Sequence, residues 1–156
     1  MKIIGSGADG QVFEKDGKAL KYSVFSQSKL DTIKLLSEIN PRAYVYVYEC
    51  GKNNDDDMYV LMDKLDACSE DEVRVFHSVL SHEDRNLNKC YTEKQLINIL
   101  SGLSKGLDFD SKEVLKFCLD VKECKFVHLD LHPRNIMKKN NHFKLIDLDR
   151  IRYEKD

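Results

Sequence analysis

No two of the five cysteines, Cys50, Cys68, Cys90, Cys118 and Cys124, stand at C-x-x-C spacing. Their odd number and scatter argue against a disulfide framework and against a structural zinc site. Reduced thiols in a cytoplasmic compartment are the expectation. No apolar run approaches membrane-spanning length, and Met1-Lys2-Ile3-Ile4-Gly5 carries no apolar signal-peptide core. An excess of either charge is missing too. Twenty-five Lys and Arg stand against 27 Asp and Glu, a net −2, which offers nucleic acid or an anionic membrane no broad surface. Internal repeats and low-complexity tracts are absent, and only Asn53 to Asp57 reads as a simple polar loop. What is left is an ordinary soluble composition. Its 156 residues suit one domain, or two small lobes sharing a cleft, with enough core to need no staples.

The first half reads as a small sheet with one helix. Ile4-Gly5-Ser6-Gly7-Ala8-Asp9-Gly10-Gln11-Val12 contains G-x-G-x-x-G-x-V. Glycines at this spacing let backbone N–H groups approach a phosphate without Cβ clashes. A dinucleotide-binding loop must open a helix. Here β-like runs follow instead, Gln11 to Glu14 and Ala19 to Tyr22, around the hairpin signal Asp16-Gly17. The glycine segment therefore joins strands. Lys21, at the end of the second run, is a candidate point charge for phosphate oxygens. Gln27 to Asn40 has helical spacing at Leu30, Ile33 and Leu36 or Ile39, and Asn40-Pro41 ends it. Glu38 is its one glutamate and a candidate to orient Lys21. Ala43 to Cys50 alternates, with Tyr44, Tyr46 and Tyr48 expected on one strand face. No basic residues interleave with them, so strand packing is preferred to base stacking. Met58 to Met62 predicts a further strand.

From Asp66 the pattern turns helical. Ser69-x-x-Glu72, Thr92-x-x-Gln95 and Asp110 to Glu113 each precede apolar residues at helical spacing. The hinge is placed at Asp63 to Asp66, giving lobes 1–65 and 66–156. His77, His82 and His142 are isolated. His128 and His132 stand four apart, but Pro133 and the strand-like Lys125-Phe126-Val127 argue against a helical metal pair. Asp130 is followed by Asn135 five residues later. Ile136 to Lys138 and Phe143 to Ile146 form a hairpin pattern around Lys139 to His142, which returns Asp147 beside Asn135. A carboxylate, an amide and a second carboxylate so gathered can hold Mg²⁺ and present a hydroxyl to a phosphate.

In this order the elements resemble the protein-kinase-like phosphotransferase superfamily, over nearly the whole chain. They are the glycine loop Gly5 to Val12, Ala19-Leu20-Lys21, Glu38, Met62-Asp63-Lys64-Leu65, His128-x-Asp130-x-x-x-x-Asn135, and Asp147. The resemblance implies an α+β bilobal fold, with a small antiparallel N-lobe sheet, one N-lobe helix and a short, mostly helical C-lobe. It implies that Ile4, Gly5, Ser6, Gly7 and Gly10 cover the phosphates of ATP and that Lys21, held by Glu38, meets the α- and β-phosphates. Val12, Ala19, Met62, Asp63 and Leu65 would line the adenine slot. Asn135 and Asp147 would hold Mg²⁺, and Asp130 would take the acceptor's proton.

The departures from the family pattern refine the expectation. Leu129 replaces the arginine that receives activation-loop phosphate in many protein kinases. His132 and the D-L-H-P-x-N form look more like aminoglycoside and choline phosphotransferases, and like atypical bacterial or viral kinases. Asp147-Leu148-Asp149 replaces Asp-Phe-Gly, and in small-molecule phosphotransferases a second acid at Asp149 is common. Only nine residues follow Asp147, which leaves no room for an activation segment. The expectation is a minimal Ser/Thr protein kinase of phage or viral size, acting in the (host) cytoplasm on a protein acceptor. A small-molecule kinase and a nucleotide- or protein-binding pseudokinase are the alternatives. A partner chain or a second copy could complete the short lobe.

Overall fold

The computed structural model describes residues 2–7, 10–23, 26–80 and 91–155. Ala8 and Asp9 of the glycine loop, His82, Cys90 and the side chain of Ser6 lie outside that description. The chain divides into two compact units, Met1–Lys64 and Leu65–Asp156. The division falls after Lys64, inside the Asp63–Asp66 stretch. Among the described residues no helix is long and apolar enough to cross a membrane.

Among the described residues the first unit is a five-stranded antiparallel sheet with one helix. Its strands are β1 (Lys2–Gly7), β2 (Gly10–Lys15), β3 (Lys18–Tyr22), β4 (Val47–Lys52) and β5 (Met58–Asp63), in the order β1-β2-β3-β5-β4. Lys15 pairs with Lys18 across Asp16 (φ 52°) and Gly17 (φ 78°). Two successive left-handed residues match the twist of the flanking strands, so Asp-Gly fixes this register. Helix α1 (Gln27–Ile39) begins at Ser26, whose hydroxyl accepts from Lys29 N–H, and ends at Asn40 in the left-handed region. Its buried stripe is Leu30, Ile33 and Leu36, whereas Ile39 is 48% exposed. The Ser37 hydroxyl donates to the Val47 carbonyl at 3.2 Å, which seats α1 beside β4.

One strand differs from expectation. The β4 ladder starts at Val47, because a turn at Pro41 to Tyr44 and a bulge between Val47 and Glu49 interrupt the alternation. Tyr44 is 2% exposed, while Tyr46 and Tyr48 are 41% and 42% exposed and meet edge to face. The three tyrosines therefore do not share a face. Period two holds only along an unbroken ladder.

Among the described residues the second unit packs three α-helices against short strands. They are β6 (Asp66–Ala67), α2 (Glu70–Val79), α3 (Glu93–Leu103), α4 (Ser111–Glu123), β7 (Phe126–His128), β8 (Ile136–Lys139), β9 (His142–Leu145) and β10 (Ile151–Tyr153). One sheet has the order β6-β8-β9, and β7 pairs with β10 in a separate two-stranded ribbon. Reciprocal capping boxes open α2 at Ser69/Glu72 and α3 at Thr92/Gln95, while Asp110 alone caps α4. Phe76, Phe117 and Phe143 form an edge-to-face triad at the core, with centroids 4.9 to 6.1 Å apart. Beside it, the buried Glu72 accepts from Lys138 Nζ at 3.0 Å. The β8–β9 turn is tighter than expected, closing on Asn140 (φ 56°) and Asn141.

Candidate active site

Each unit carries one group of the candidate residues. In the first, Ile4, Gly5, Ser6 and Gly7 lie on β1, and Gly10 and Val12 on β2. Gly7 pairs with Gly10, so the glycine segment joins two antiparallel strands. Gly10 is required there. Its φ is 136°, and a Cβ on it would stand 2.2 Å from the Tyr22 carbonyl oxygen. Val12 lies opposite Lys21, Lys21 opposite Val60, and Ala19 opposite Met62. Cross-strand partners share a face, as do residues two apart on one strand. Val12, Ala19, Lys21, Val60 and Met62 thus form one face of the sheet, with Ala19 and Met62 buried. Lysine and apolar liners are side by side.

Glu38 is not brought to Lys21. It is exposed near the end of α1 and makes no ion pair or hydrogen bond among the described residues. Asp63 is engaged by β4: its N–H donates to the Tyr46 carbonyl at 2.9 Å, and its carboxylate accepts from the Tyr48 hydroxyl at 2.6 Å. Leu65 is half-buried and begins the second unit.

In the second unit Asp130, Asn135 and Asp147 are laced together through the backbone. The Asn135 amide nitrogen donates to the Asp130 carbonyl at 2.8 Å and approaches an Asp130 carboxylate oxygen at 3.4 Å. That fixes the amide's orientation and leaves its Oδ1 as the acceptor a cation would use. Pro133–Asn135 is a 3₁₀ turn, closed by Asn135 N–H to the His132 carbonyl at 2.8 Å. Ile146 N–H donates to the Asn135 carbonyl at 2.9 Å, so Asp147 follows directly beside that turn. Asp147 is left-handed, with φ 66° and ψ 62°. Aspartate tolerates this region better than most residues, and residues held in it cluster at functional sites. Asp130 is exposed, and Asn135 and Asp147 are half-buried.

His128 organises this half from beneath. It is 7% exposed. Its Nδ1 accepts from Asp130 N–H at 3.1 Å, and its Nε2 lies 2.7 Å from the Ile146 carbonyl. One tautomer satisfies both contacts: neutral imidazole with the proton on Nε2. Burial pushes the His128 pKa below its ordinary value, against hydrogen bonds and the carboxylates of Asp130 and Asp149 that pull it up. Sequence reasoning gave His128 no role, because its second partner is eighteen residues away. It also left Asp149 out of the core site, although this buried acid lies near His128. The sequence signal for it was the second acid after Asp147. Among the described residues thiol chemistry has no candidate. Burial raises the pKa of Cys50 and Cys124 and pushes those of Cys68 and Cys118 up to about 12.

The donor set suits Mg²⁺. An amide oxygen and a carboxylate are hard ligands, and Mg²⁺ is commonly held by one or two carboxylates plus substrate phosphates and water. Among the described residues no group of three or more His, Cys, Asp or Glu forms a closed metal cage.

No protein-family pattern and no curated protein matches the chain. Among solved structures it is similar to the crystal structure of the kinase domain of PF14_0431, with a TM-score of 0.54 at 15% identity. The alignment covers 100% of this chain and 51% of that one. Identity this low is informative about fold alone. The chain has a mixed α+β, kinase-domain-like fold, and it spans about half the length of that kinase domain.

Proposed function

We propose that the chain is an ATP- and Mg²⁺-dependent phosphotransferase, and within that class a minimal Ser/Thr protein kinase. The observation that carries the reading is the lacing of Asp130, Asn135 and Asp147 around one 3₁₀ turn. In the proposed reaction the acceptor hydroxyl oxygen bonds to the γ-phosphorus while its proton passes to the Asp130 carboxylate. The bond from the γ-phosphorus to the β–γ bridging oxygen breaks, and ADP leaves. Asn135 holds the Asp130 backbone in place, and Asn135 Oδ1 and Asp147 are the metal ligands. Mg²⁺, when bound, neutralises phosphate charge. Lys21, between Val12 and Val60 on its sheet face, meets the phosphates, and Ala19 and Met62 offer apolar surface to the base. Positioning and charge neutralisation supply most of the acceleration. A protein acceptor is favoured because Asp130 is exposed and Leu129, beside it, is 60% exposed. A bulky chain can reach the carboxylate.

The test is transfer from γ-labelled ATP with Mg²⁺ to protein acceptors, wild type beside Asp130→Ala and Asp147→Ala. Asp130→Ala is expected to lower kcat by about 10²- to 10⁴-fold. Turnover unchanged in Asp147→Ala would sink the metal assignment. Absence of all turnover, with a nucleotide-dependent rise in Tm, would turn the reading to a nucleotide-binding pseudokinase. The His132 form supports one further reading, a small-molecule acceptor, which label on an aminoglycoside or choline but not on protein would establish.

A further inference from the structure

The β7–β10 ribbon beside Asp130 has two unlike faces. Ile151 pairs with His128, Arg152 with Val127 and Tyr153 with Phe126. The register runs on to Leu129 opposite Arg150, whose carbonyl accepts from Leu129 N–H at 2.6 Å. Alternation puts Phe126, His128, Ile151 and Tyr153 on one face, and three of these four are under 9% exposed. Val127, Leu129, Arg150 and Arg152 take the other. That face is an apolar strip flanked by guanidinium groups, and it leads directly into Asp130.

The charges on it are uneven. Arg152 is paired with Glu154 at 2.6 Å. Arg150 is exposed, and its side chain joins no ion pair or hydrogen bond among the described residues. The same holds for Arg134, which is exposed in the 3₁₀ turn between Asp130 and Asn135. Asn135 Nδ2 ties that turn to the Asp130 carbonyl. Of the other acids here, Asp149 is buried and Glu154 is paired, while Asp130 and Asp147 belong to the candidate site. Two exposed arginines without an ion pair among the described residues thus lie close to Asp130 in the chain: Arg150, opposite the exposed Leu129, and Arg134, in the turn after Asp130.

We propose that this ribbon face, with Arg134, is the acceptor-docking surface and that it selects a Ser/Thr segment flanked by acidic side chains and one apolar residue. The inference rests on the phosphotransferase reading and adds the acceptor's chemistry to it. Arg134 and Arg150 answer Asp or Glu near the acceptor hydroxyl, and Leu129 and Val127 meet the apolar residue. The contribution is one of specificity. Exposed guanidinium–carboxylate pairs are weak singly, each up to about fivefold in affinity, and they are screened by salt.

The experiment compares two serine peptides of equal length, one with Asp/Glu flanks and one with Lys/Arg flanks, as acceptors for the full chain with Mg²⁺ and ATP. Wild type is expected to favour the acidic peptide in kcat/KM by roughly three- to tenfold, with the margin shrinking at high salt. Arg134→Gln with Arg150→Gln should bring the ratio near one, and the Arg→Glu pair should invert it. Inversion is a readout that mere loss of folding cannot produce. Equal use of both peptides by wild type, a preference for the basic one, or a ratio unmoved in both variant pairs overturns the docking surface while leaving the phosphotransferase intact. No transfer to either peptide, nor to any protein, overturns both.

Discussion

At the residue scale His128 couples protonation to folding. Its Nδ1 takes the Asp130 N–H and its Nε2 proton goes to the Ile146 carbonyl, so a second proton on Nδ1 would displace the Asp130 contact. Burial is the dominant cause of its depressed pKa, outweighing Asp130 and Asp149. The sign follows. As pH falls the unfolded chain, with an ordinary histidine pKa of about 6.5, takes up the proton first. Stability is therefore retained above that value and declines below it, by up to about 1.4 kcal/mol per pH unit, until the folded histidine titrates as well. Urea unfolding at pH 7.5 and 5.5 should show a smaller acid loss in His128→Gln than in wild type. Equal losses would remove the assignment. None of this was legible in the spacing of His128 and His132, which argued only against a metal pair. The Ile146 carbonyl that holds the Nε2 proton is contributed by a hairpin return.

At the element scale the legible parts are those whose signals are local. Asp16-Gly17 encodes its own turn, and Ser69/Glu72 and Thr92/Gln95 encode their own helix starts. The strand pairing of the glycine segment is legible for the same reason, and within it Gly10 is harder to replace than Gly5. Gly10→Ala combines a positive φ with a 2.2 Å approach to the Tyr22 oxygen. It should cost roughly 1–3 kcal/mol in denaturant unfolding, and it should weaken nucleotide binding more than Gly17→Ala, whose Cβ meets nothing within 4 Å. Glu72 separates two roles in one side chain, the α2 capping box and the ion pair with Lys138. Glu72→Gln keeps the cap and strips the charge from beside the largely covered Lys138. A loss of about 3 kcal/mol is expected, as for breaking a buried pair. A loss under about 1 kcal/mol would assign Glu72 to capping alone. Lys125-Phe126-Val127 read as strand-like, but β10 and its pairing with β7 escaped, because a three-residue strand shows too little alternation to register. The start of β4 escaped because a bulge resets its period.

At the scale of the whole molecule, the order of the larger elements was readable, while long-range contacts such as the seat of His128 were not. The lysine face belongs to one unit and the carboxylates to the other. Saturation with Mg²⁺ and ATP at 100 times Kd should add about 2.7 kcal/mol of stability if nucleotide binds only the folded chain, and a thermal shift lost in Lys21→Ala would assign part of it to the first unit. The hydrogen bonds around Asp130 carry a further consequence. The amides of Leu129, Asp130, Asn135, Ile146 and Arg150 each donate to another member of one small web spanning residues 128 to 150. No single amide in it opens without loosening its neighbours. In deuterated solvent these five protons should exchange as one cooperative unit, at a common opening free energy. The chain would then keep Asp130 and Asp147 in register together, or release both in a single fluctuation.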